Sequence, residues 1–172
     1  MTAADPPGAR DDAASARKII QRGLYFEEFE ENVVYVHSPG RTVSEADNIL
    51  FSTLTMNTQS LHLDAEWARS TEFGERLINS MFTLAALVGM SVAQLTQGTV
   101  VANLGFTEVR FPNPMRAGDT MRCETRLISK RLSKSRVGQG IVELKHTARN
   151  QRGEVLAIAT RATLVLCSPG NN

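Results

Sequence analysis

The segment that most constrains the fold runs from Asn79 to Gln94, where apolar residues fall on nearly every side of a predicted helix. A helix on a protein surface carries one apolar stripe, whereas a helix that is apolar almost all round has to be buried. Asn79 or Ser80 is a suitable N-terminal cap, because short polar side chains accept hydrogen bonds from the first free backbone N–H groups. The sequence therefore predicts a buried central helix that begins near Ser80.

Strand-like segments separated by turn residues follow this helix, at residues 99–111, 119–133, 138–149 and 154–166. The second and third alternate apolar and polar side chains, so each should have one face in water. The fourth is apolar on both faces and should lie inside the sheet. With a short β-prone run at 33–36, the pattern predicts a single α+β domain whose antiparallel sheet wraps around the central helix.

Two shorter helices are predicted before the central one. Ser44 and Asp47 have the spacing of a capping box, and the helix that they start should carry Leu50, Phe51 and Leu54 on one face. Asp64 is positioned to cap a second short helix. The segment between these helices is predicted to be a loop, and it contains Asn57 and His62.

The length of 172 residues suits one domain with a sizeable core. Residues 1–22 are rich in Ala, Asp, Pro and Arg and predict a flexible tail, followed by a folded domain at 23–167 and a frayed end at 168–172. The sequence has no apolar run of about twenty residues and no signal-peptide pattern, so we expect a cytoplasmic protein without a membrane span.

The formal net charge of +1 gives no reason to expect nucleic acid or an anionic membrane as a partner. Cys123 and Cys167 lie in strand-like segments and are interpreted as buried thiols rather than as a disulfide or metal ligands. With three histidines and no cysteine cluster, no metal site is predicted. His146 is interpreted as a packed core residue and His37 as a turn residue.

Candidate chemistry is concentrated in the loop before the central helix. Asn57 and His62 lie five residues apart there, and free backbone N–H groups are expected at the start of the helix. A histidine can take up and release a proton near neutral pH, and helix N-terminal N–H groups can polarise a carbonyl. The alternative is that both side chains only satisfy backbone groups of the loop.

The same residues resemble a known family. The stretch 54–64 (LTMNTQSLHLD), with Thr71-Glu-Phe-Gly74 and Leu77-Ile-Asn-Ser-Met81, is similar to the MaoC-like hydratases, which are hotdog-fold enzymes acting on acyl-CoA thioesters. The later stretch 111–119 (FPNPMRAGD) is similar to the turn Phe-x-x-Pro-Val-x-x-Gly-Asp of that family. The resemblance extends from Phe26 to Leu166.

This resemblance implies reversible hydration of an enoyl-CoA. His62 falls on the catalytic histidine of the family, Asn57 on its catalytic aspartate, and Ser80 on the glycine whose N–H forms the oxyanion hole, between Asn79 and Met81. An asparagine cannot titrate, so Asn57 would orient water while His62 moves the proton in both steps. The pattern is closest to the mesaconyl-CoA hydratases and β-methylmalyl-CoA dehydratases, which handle branched dicarboxylic acyl-CoAs. The family also implies a homodimer or larger homo-oligomer and no cofactor.

Some alternatives stay open. The basic residues Lys130, Arg131, Lys134 and Arg136 suit the phosphates of CoA, or they form a solvated hairpin tip. A hotdog thioesterase would need a carboxylate near the central helix, for which Glu72 and Glu75 are available. Because Asn57 replaces an aspartate, a protein that binds acyl-CoA without catalysis is the third possibility.

Overall fold

The computed structural model describes residues 17–170. Most of the predicted N-terminal tail and the last two residues of the chain lie outside this range, so the boundaries predicted at 22 and 168 stay predictions. Among the described residues, no helix combines the length and apolar composition needed to cross a membrane.

The fold is a single five-stranded antiparallel sheet with helices, as the α+β prediction required. The strand order is β1-β3-β4-β5-β2, so β1 and β2 form the edges and β5 lies inside. The strand bounds are β1 Val34–Thr42, β2 Val100–Arg110, β3 Thr120–Leu132, β4 Gln139–Arg149 and β5 Val155–Leu166. The predicted turn between β4 and β5 is also confirmed, with Gly153 at a φ of 83°.

Strand β1 is longer than predicted. The β-prone run was predicted only at 33–36, and Pro39 follows it closely, but pairing with β3 resumes after a bulge, at Arg41 opposite Met121. Proline has no N–H to donate to a ladder, which makes it a poor residue for a central strand and tolerable at an edge. Because β1 is an edge strand, the proline does not end it.

The helices are α1 Glu45–Leu54, α2 Ser60–Leu63, α3 Ala65–Arg69 and α4 Ser80–Leu95, and a short 3-10 helix at Phe26–Glu28 precedes them. The predicted caps are confirmed. Ser44 and Asp47 form the capping box of α1, Asp64 caps α3, and Asn79 caps α4. The segment predicted as a loop around His62 is the one-turn helix α2.

Helix α4 is buried on one side only. Phe82 and Leu87 pack with Met121, Cys123 and the alanines of β4 and β5 in the main core. The opposite side of the helix, at positions 81, 85, 89 and 93, is exposed in the single chain. The predicted burial of the central helix therefore holds for the side that faces the sheet, and the other side is exposed because the five-stranded sheet covers only one side.

The predicted apolar face of α1 is also wrong. Leu50 and Leu54 are 61% and 74% exposed, whereas Asn48 and Ser52 are 3% and 0% exposed. Phe51 alone of the three predicted residues packs against the core. Asn48 and Ser52 face inward because both accept hydrogen bonds from Asn79 at the start of α4.

A chain of buried polar side chains lies between the sheet and α4. Arg161 Nε donates to His146 Nε2 (3.0 Å), and Thr125 Oγ1 lies 2.7 Å from both His146 Nδ1 and His37 Nε2. His37 Nδ1 is 2.8 Å from Gln94 Oε1. Arginine can only donate, so in neutral rings His146 Nδ1–H donates to Thr125, Thr125 donates to His37, and His37 donates to Gln94.

This network confirms that His146 is a core residue, but it corrects the interpretation of His37. His37 is 5% exposed and lies within β1, so it is a buried strand residue and not a turn residue. Both cysteines are free; Cys123 is buried, which raises the pKa of its thiol to about 12, and Cys167 is half-buried.

Candidate active site

A cavity of about 380 Å³ contains both His62 and the first residue of α4, Ser80. It forms where three segments meet. The backbone N–H of Leu77 donates to the carbonyl of Leu61 in α2 (3.1 Å), and the N–H of Ile78 donates to the carbonyl of Met115 after β2 (2.9 Å). The remaining lining is mostly apolar and includes Leu61, Phe73, Ile78, Phe111, Met115 and Leu156.

The His62 ring is held by the backbone in a defined orientation. Its Nδ1 lies 2.9 Å from the carbonyl oxygen of Leu77. A carbonyl oxygen only accepts hydrogen bonds, so Nδ1 carries the hydrogen and the Nε2 of the neutral ring is left with a free lone pair. His62 is thus prepared to act as a base through Nε2.

The start of α4 supplies one free donor to the cavity. Asn79 Oδ1 accepts a hydrogen bond from the N–H of Met81 (2.9 Å), so this N–H is already used by the helix cap. The N–H of Ser80 donates to no described residue, and Ser80 lines the cavity. Of the three residues predicted here, Ser80 is therefore the one whose N–H can reach a ligand, with the positive end of the helix dipole behind it.

Asn48, which was not predicted as a site residue, joins the two halves of this site. Asn48 Nδ2 donates to the carbonyl oxygens of His62 (3.0 Å) and Leu77 (3.1 Å), and its Oδ1 accepts from the N–H of Asn79 (2.9 Å). One turn later, Ser52 Oγ accepts from Asn79 Nδ2 (3.2 Å). The sequence contains a signal for this face, because Asn48 and Ser52 are four positions apart and therefore lie on one face of the helix, next to Phe51.

Asn57 has a local role in the structure. Its Oδ1 accepts a hydrogen bond from the N–H of Gln59 (3.1 Å), which is the pattern of an Asx turn. Asn57 is half-buried and is not among the residues that line the cavity. The structure thus brings His62 and Ser80 together around one cavity and leaves Asn57 outside its lining.

The four basic residues predicted to bind CoA lie elsewhere in the single chain. Lys130 Nζ contacts the carbonyl oxygens of Phe26, Glu27 and Phe29, at 3.4, 3.2 and 2.6 Å, and so holds the 3-10 helix. Arg131 and Lys134 are exposed at the hairpin between β3 and β4, and Arg136 lines a different cavity. None of the four lines the cavity of His62.

Comparisons with known proteins point to one family. The family model described as MaoC like domain matches residues 28–150. The mesaconyl-CoA hydratase of Cereibacter sphaeroides is 27% identical over 143 residues, which are 83% of this chain and 41% of that protein. The chain thus spans less than half of the length of this curated relative.

Solved structures agree with this match. A MaoC domain protein dehydratase from Chloroflexus aurantiacus superposes with a TM-score of 0.83 at 26% identity, over 91% of this chain and 44% of that one. A Mycobacterium tuberculosis protein with a double hotdog fold superposes with a TM-score of 0.77 at 22% identity, over 87% of this chain and 46% of that one. The predicted hotdog fold is therefore confirmed.

Proposed function

Because the chain belongs to the family of MaoC-like domains, we propose that it catalyses the reversible hydration of an enoyl-CoA thioester. The observation that carries this proposal is that one cavity is lined by both His62 and Ser80. The Nε2 of His62 is left free to accept a proton, and the backbone N–H of Ser80 is free to donate. A base for water and a donor for a thioester oxygen are the two groups that this addition needs.

In the proposed reaction, His62 Nε2 takes a proton from water while the water oxygen bonds to Cβ of the enoyl group. The C=C electron pair moves onto the thioester, and the N–H of Ser80 stabilises the resulting enolate oxygen. The His62 imidazolium then returns the proton to Cα, so that water has added across the double bond and the ring is neutral again. Such an oxyanion donor typically contributes about 3 kcal/mol.

The narrower predictions concern the acyl chain and the remaining site residues. We propose a short branched or dicarboxylic acyl chain, and the relative named mesaconyl-CoA hydratase supports this choice. The water-orienting role of Asn57 and CoA binding by Lys130, Arg131, Lys134 and Arg136 stay predictions. The three carbonyl contacts of Lys130 Nζ favour a structural role for that residue.

The cavity favours hydration over thioester hydrolysis. Within the described part of the chain, no carboxylate lines the cavity of His62. Of the two candidates for a thioesterase, Glu75 is paired with Arg116 and Glu72 is exposed. A direct assay separates the reactions: crotonyl-CoA should lose its enoyl-thioester absorbance without releasing free thiol. Release of free thiol at the same rate would favour hydrolysis. Binding of the ester with neither loss of absorbance nor thiol release would indicate an acyl-CoA-binding protein without catalytic activity.

Asn48 is expected to be a positioning residue for this reaction. Replacing it with aspartate removes both donors to the carbonyls of His62 and Leu77, so the His62 ring and the start of α4 lose their common anchor. Because displacements of about 1 Å in an active site can cost about a hundredfold, we expect the turnover number of Asn48→Asp to fall by roughly that factor.

The matched control for Asn48 is Ser52→Ala, which removes only the hydrogen bond to Asn79 and should have a smaller effect. Turnover and KM would be measured together with thermal unfolding, at a temperature where both variants stay folded. A variant Asn48→Asp that unfolds earlier but keeps its turnover number would show that Asn48 stabilises the fold without positioning the site.

We also propose that the chain forms a homodimer through the free edge of β2. Five large apolar side chains of this strand are at least one-third exposed: Val100, Val101, Leu104, Phe106 and Val109. On the other edge strand, β1, only Val36 among the described residues is such a side chain. A second copy would also supply the hotdog unit that relatives of double length carry in one chain.

Light scattering tests this interface. Lysine on an edge strand opposes pairing with another strand, so Leu104→Lys should reduce the mass in solution from that of a dimer to that of a monomer. Val36→Lys, on the opposite edge, is the control and should remain dimeric. A wild-type protein with the mass of a monomer, or a Leu104→Lys variant that stays dimeric, would contradict the assignment.

A further inference from the structure

The lining of the active-site cavity restricts the charge of the acyl chain. We propose that the cavity takes an uncharged acyl chain and discriminates against one that ends in a carboxylate. This inference rests on the proposed function and chooses between the two acyl types that the function left open, the branched and the dicarboxylic.

The first observation is the chemistry of the cavity wall. His62 is the only titratable side chain among the described residues that line it, and the wall contains no lysine or arginine. The polar groups besides His62 are Ser80, Thr83 and Asn113. Of these, Thr83 Oγ1 has the carbonyl oxygen of Asn79 (3.5 Å) and Met115 Sδ (3.7 Å) as acceptors. Asn113 Nδ2 donates to the carbonyl oxygen of Val155 (2.9 Å).

The second observation is that the nearest cations in sequence already have partners. Arg116, next to Met115 of the wall, forms an ion pair with Glu75 and donates to the carbonyl of Phe73 (3.3 Å). Arg76, next to Leu77 of the wall, binds Glu45 (2.6 Å) and the carbonyl of Leu63 (3.4 Å). Both guanidinium groups are thus neutralised by carboxylates of the same chain.

The third observation is the size of the cavity. At about 380 Å³, it lies near the lower end of the range of small-molecule pockets. It suits the acyl part of a thioester, with the nucleotide of CoA outside. A carboxylate placed among Phe73, Phe111 and Leu156 would lose its water without gaining a cation, which is unfavourable. A terminal methyl group in the same place would be stabilised by burial.

Butyryl-CoA and succinyl-CoA form a matched pair of probes, because they differ only in a terminal methyl or carboxylate. Both are saturated, so neither can be hydrated and binding is measured without turnover. Calorimetric titration of the 172-residue chain should show that butyryl-CoA binds at least about tenfold more tightly than succinyl-CoA, a difference typical of an unpaired buried charge. Free CoA, titrated in parallel, gives the contribution of the nucleotide.

A second variant adds the missing charge. Asn113 is exposed at the rim of the cavity, so Asn113→Lys should raise the affinity for succinyl-CoA about tenfold. Asn113→Met has a similar length and no charge, and it controls for loss of the hydrogen bond to Val155. Only Asn113→Lys should reduce the ratio of the affinity for butyryl-CoA to that for succinyl-CoA.

The outcomes separate this inference from the proposed function. Tighter binding of succinyl-CoA by the wild-type protein would overturn the inference, whether or not any enoyl ester is hydrated. A preference for butyryl-CoA without hydration of any enoyl ester would support the inference and overturn the hydratase. Binding of neither ester more tightly than free CoA would overturn both.

Discussion

Replacing His62 with alanine is expected to lower the turnover number for enoyl-CoA hydration about a thousandfold, the middle of the range for removal of a general acid-base group. In the proposed reaction the same imidazole takes the proton from water and returns it to Cα. Asn57, which the resemblance aligns with the second acid-base group of the family, cannot titrate. The decisive readout is the initial rate of loss of enoyl-thioester absorbance at saturating substrate.

A second substitution distinguishes chemistry from support of the loop. In His62→Asn, the side-chain amide can still donate to the carbonyl of Leu77, as the His62 Nδ1 does at 2.9 Å, but no base remains at the position of Nε2. Both variants should therefore lose activity while they still bind butyryl-CoA. If His62→Asn retained most of the turnover that His62→Ala loses, His62 would hold the loop and another group would be the base.

The second large effect is expected at acid pH and comes from His146. Burial is the largest cause that lowers the pKa of this histidine from 6.5 to about 3, and the neighbouring charges of Arg161 and His37 add to it. The folded state thus binds this proton less readily than the unfolded state. The free energy of unfolding is therefore at its full value above the pKa of His146 in the unfolded state. It decreases as the pH falls from 6.5 towards 3, because the unfolded state then binds the proton and the folded state does not.

We expect the substitution His146→Asn to flatten this dependence. Between pH 7.5 and pH 4.5, the loss in free energy of unfolding should be smaller than in the wild type by about 2 to 3 kcal/mol, as one proton linked over about two pH units requires. Denaturant titration at the two pH values measures it. Ionisation of carboxylates contributes equally to both proteins and cancels in the comparison.

Thr125→Val is the matched control for His146→Asn. It removes the hydroxyl that lies between His37 and His146, both at 2.7 Å, but leaves the two rings buried and able to titrate. This variant should be less stable at both pH values and keep the pH dependence of the wild type. An unchanged slope in His146→Asn would show that His146 is not the group whose protonation opposes folding.

Local patterns in the sequence were enough to predict most of the elements of the fold. The alternation in β3 and β4 follows from a sheet with one covered face, and the caps at Ser44, Asp64 and Asn79 act within three residues of their own positions. Such signals need no knowledge of distant parts of the chain, so they can be read before the structure is known.

The errors arose where the partner is distant in sequence. The inward side of α1 is set by Asn48, whose partners lie 14 to 31 residues away, and no apolar periodicity reports them. The burial of His37 depends on Thr125, which is 88 residues away. In both cases buried polar groups are paired across the fold, and pairing of this kind overrides the simple rule that polar residues face water.

The candidate site was predictable only in part for the same reason. The resemblance to the MaoC-like hydratases placed His62 and Ser80, and the structure brings both to one cavity. It could not show that the cap at Asn79 uses the N–H of Met81, or that Asn57 closes an Asx turn. These details depend on the geometry of a few hydrogen bonds and change which groups are free to meet a substrate.

The central claim, that this chain adds water to an enoyl thioester, is tested most directly by the fate of the oxygen. Crotonyl-CoA would be incubated with the wild-type protein in water enriched in the oxygen-18 isotope. The products would then be separated and their masses determined by mass spectrometry. A hydratase places the label on the hydroxyl group of an intact 3-hydroxybutyryl-CoA and releases no CoA. Label found instead in a free carboxylic acid, together with released CoA, would contradict the claim and identify a thioesterase.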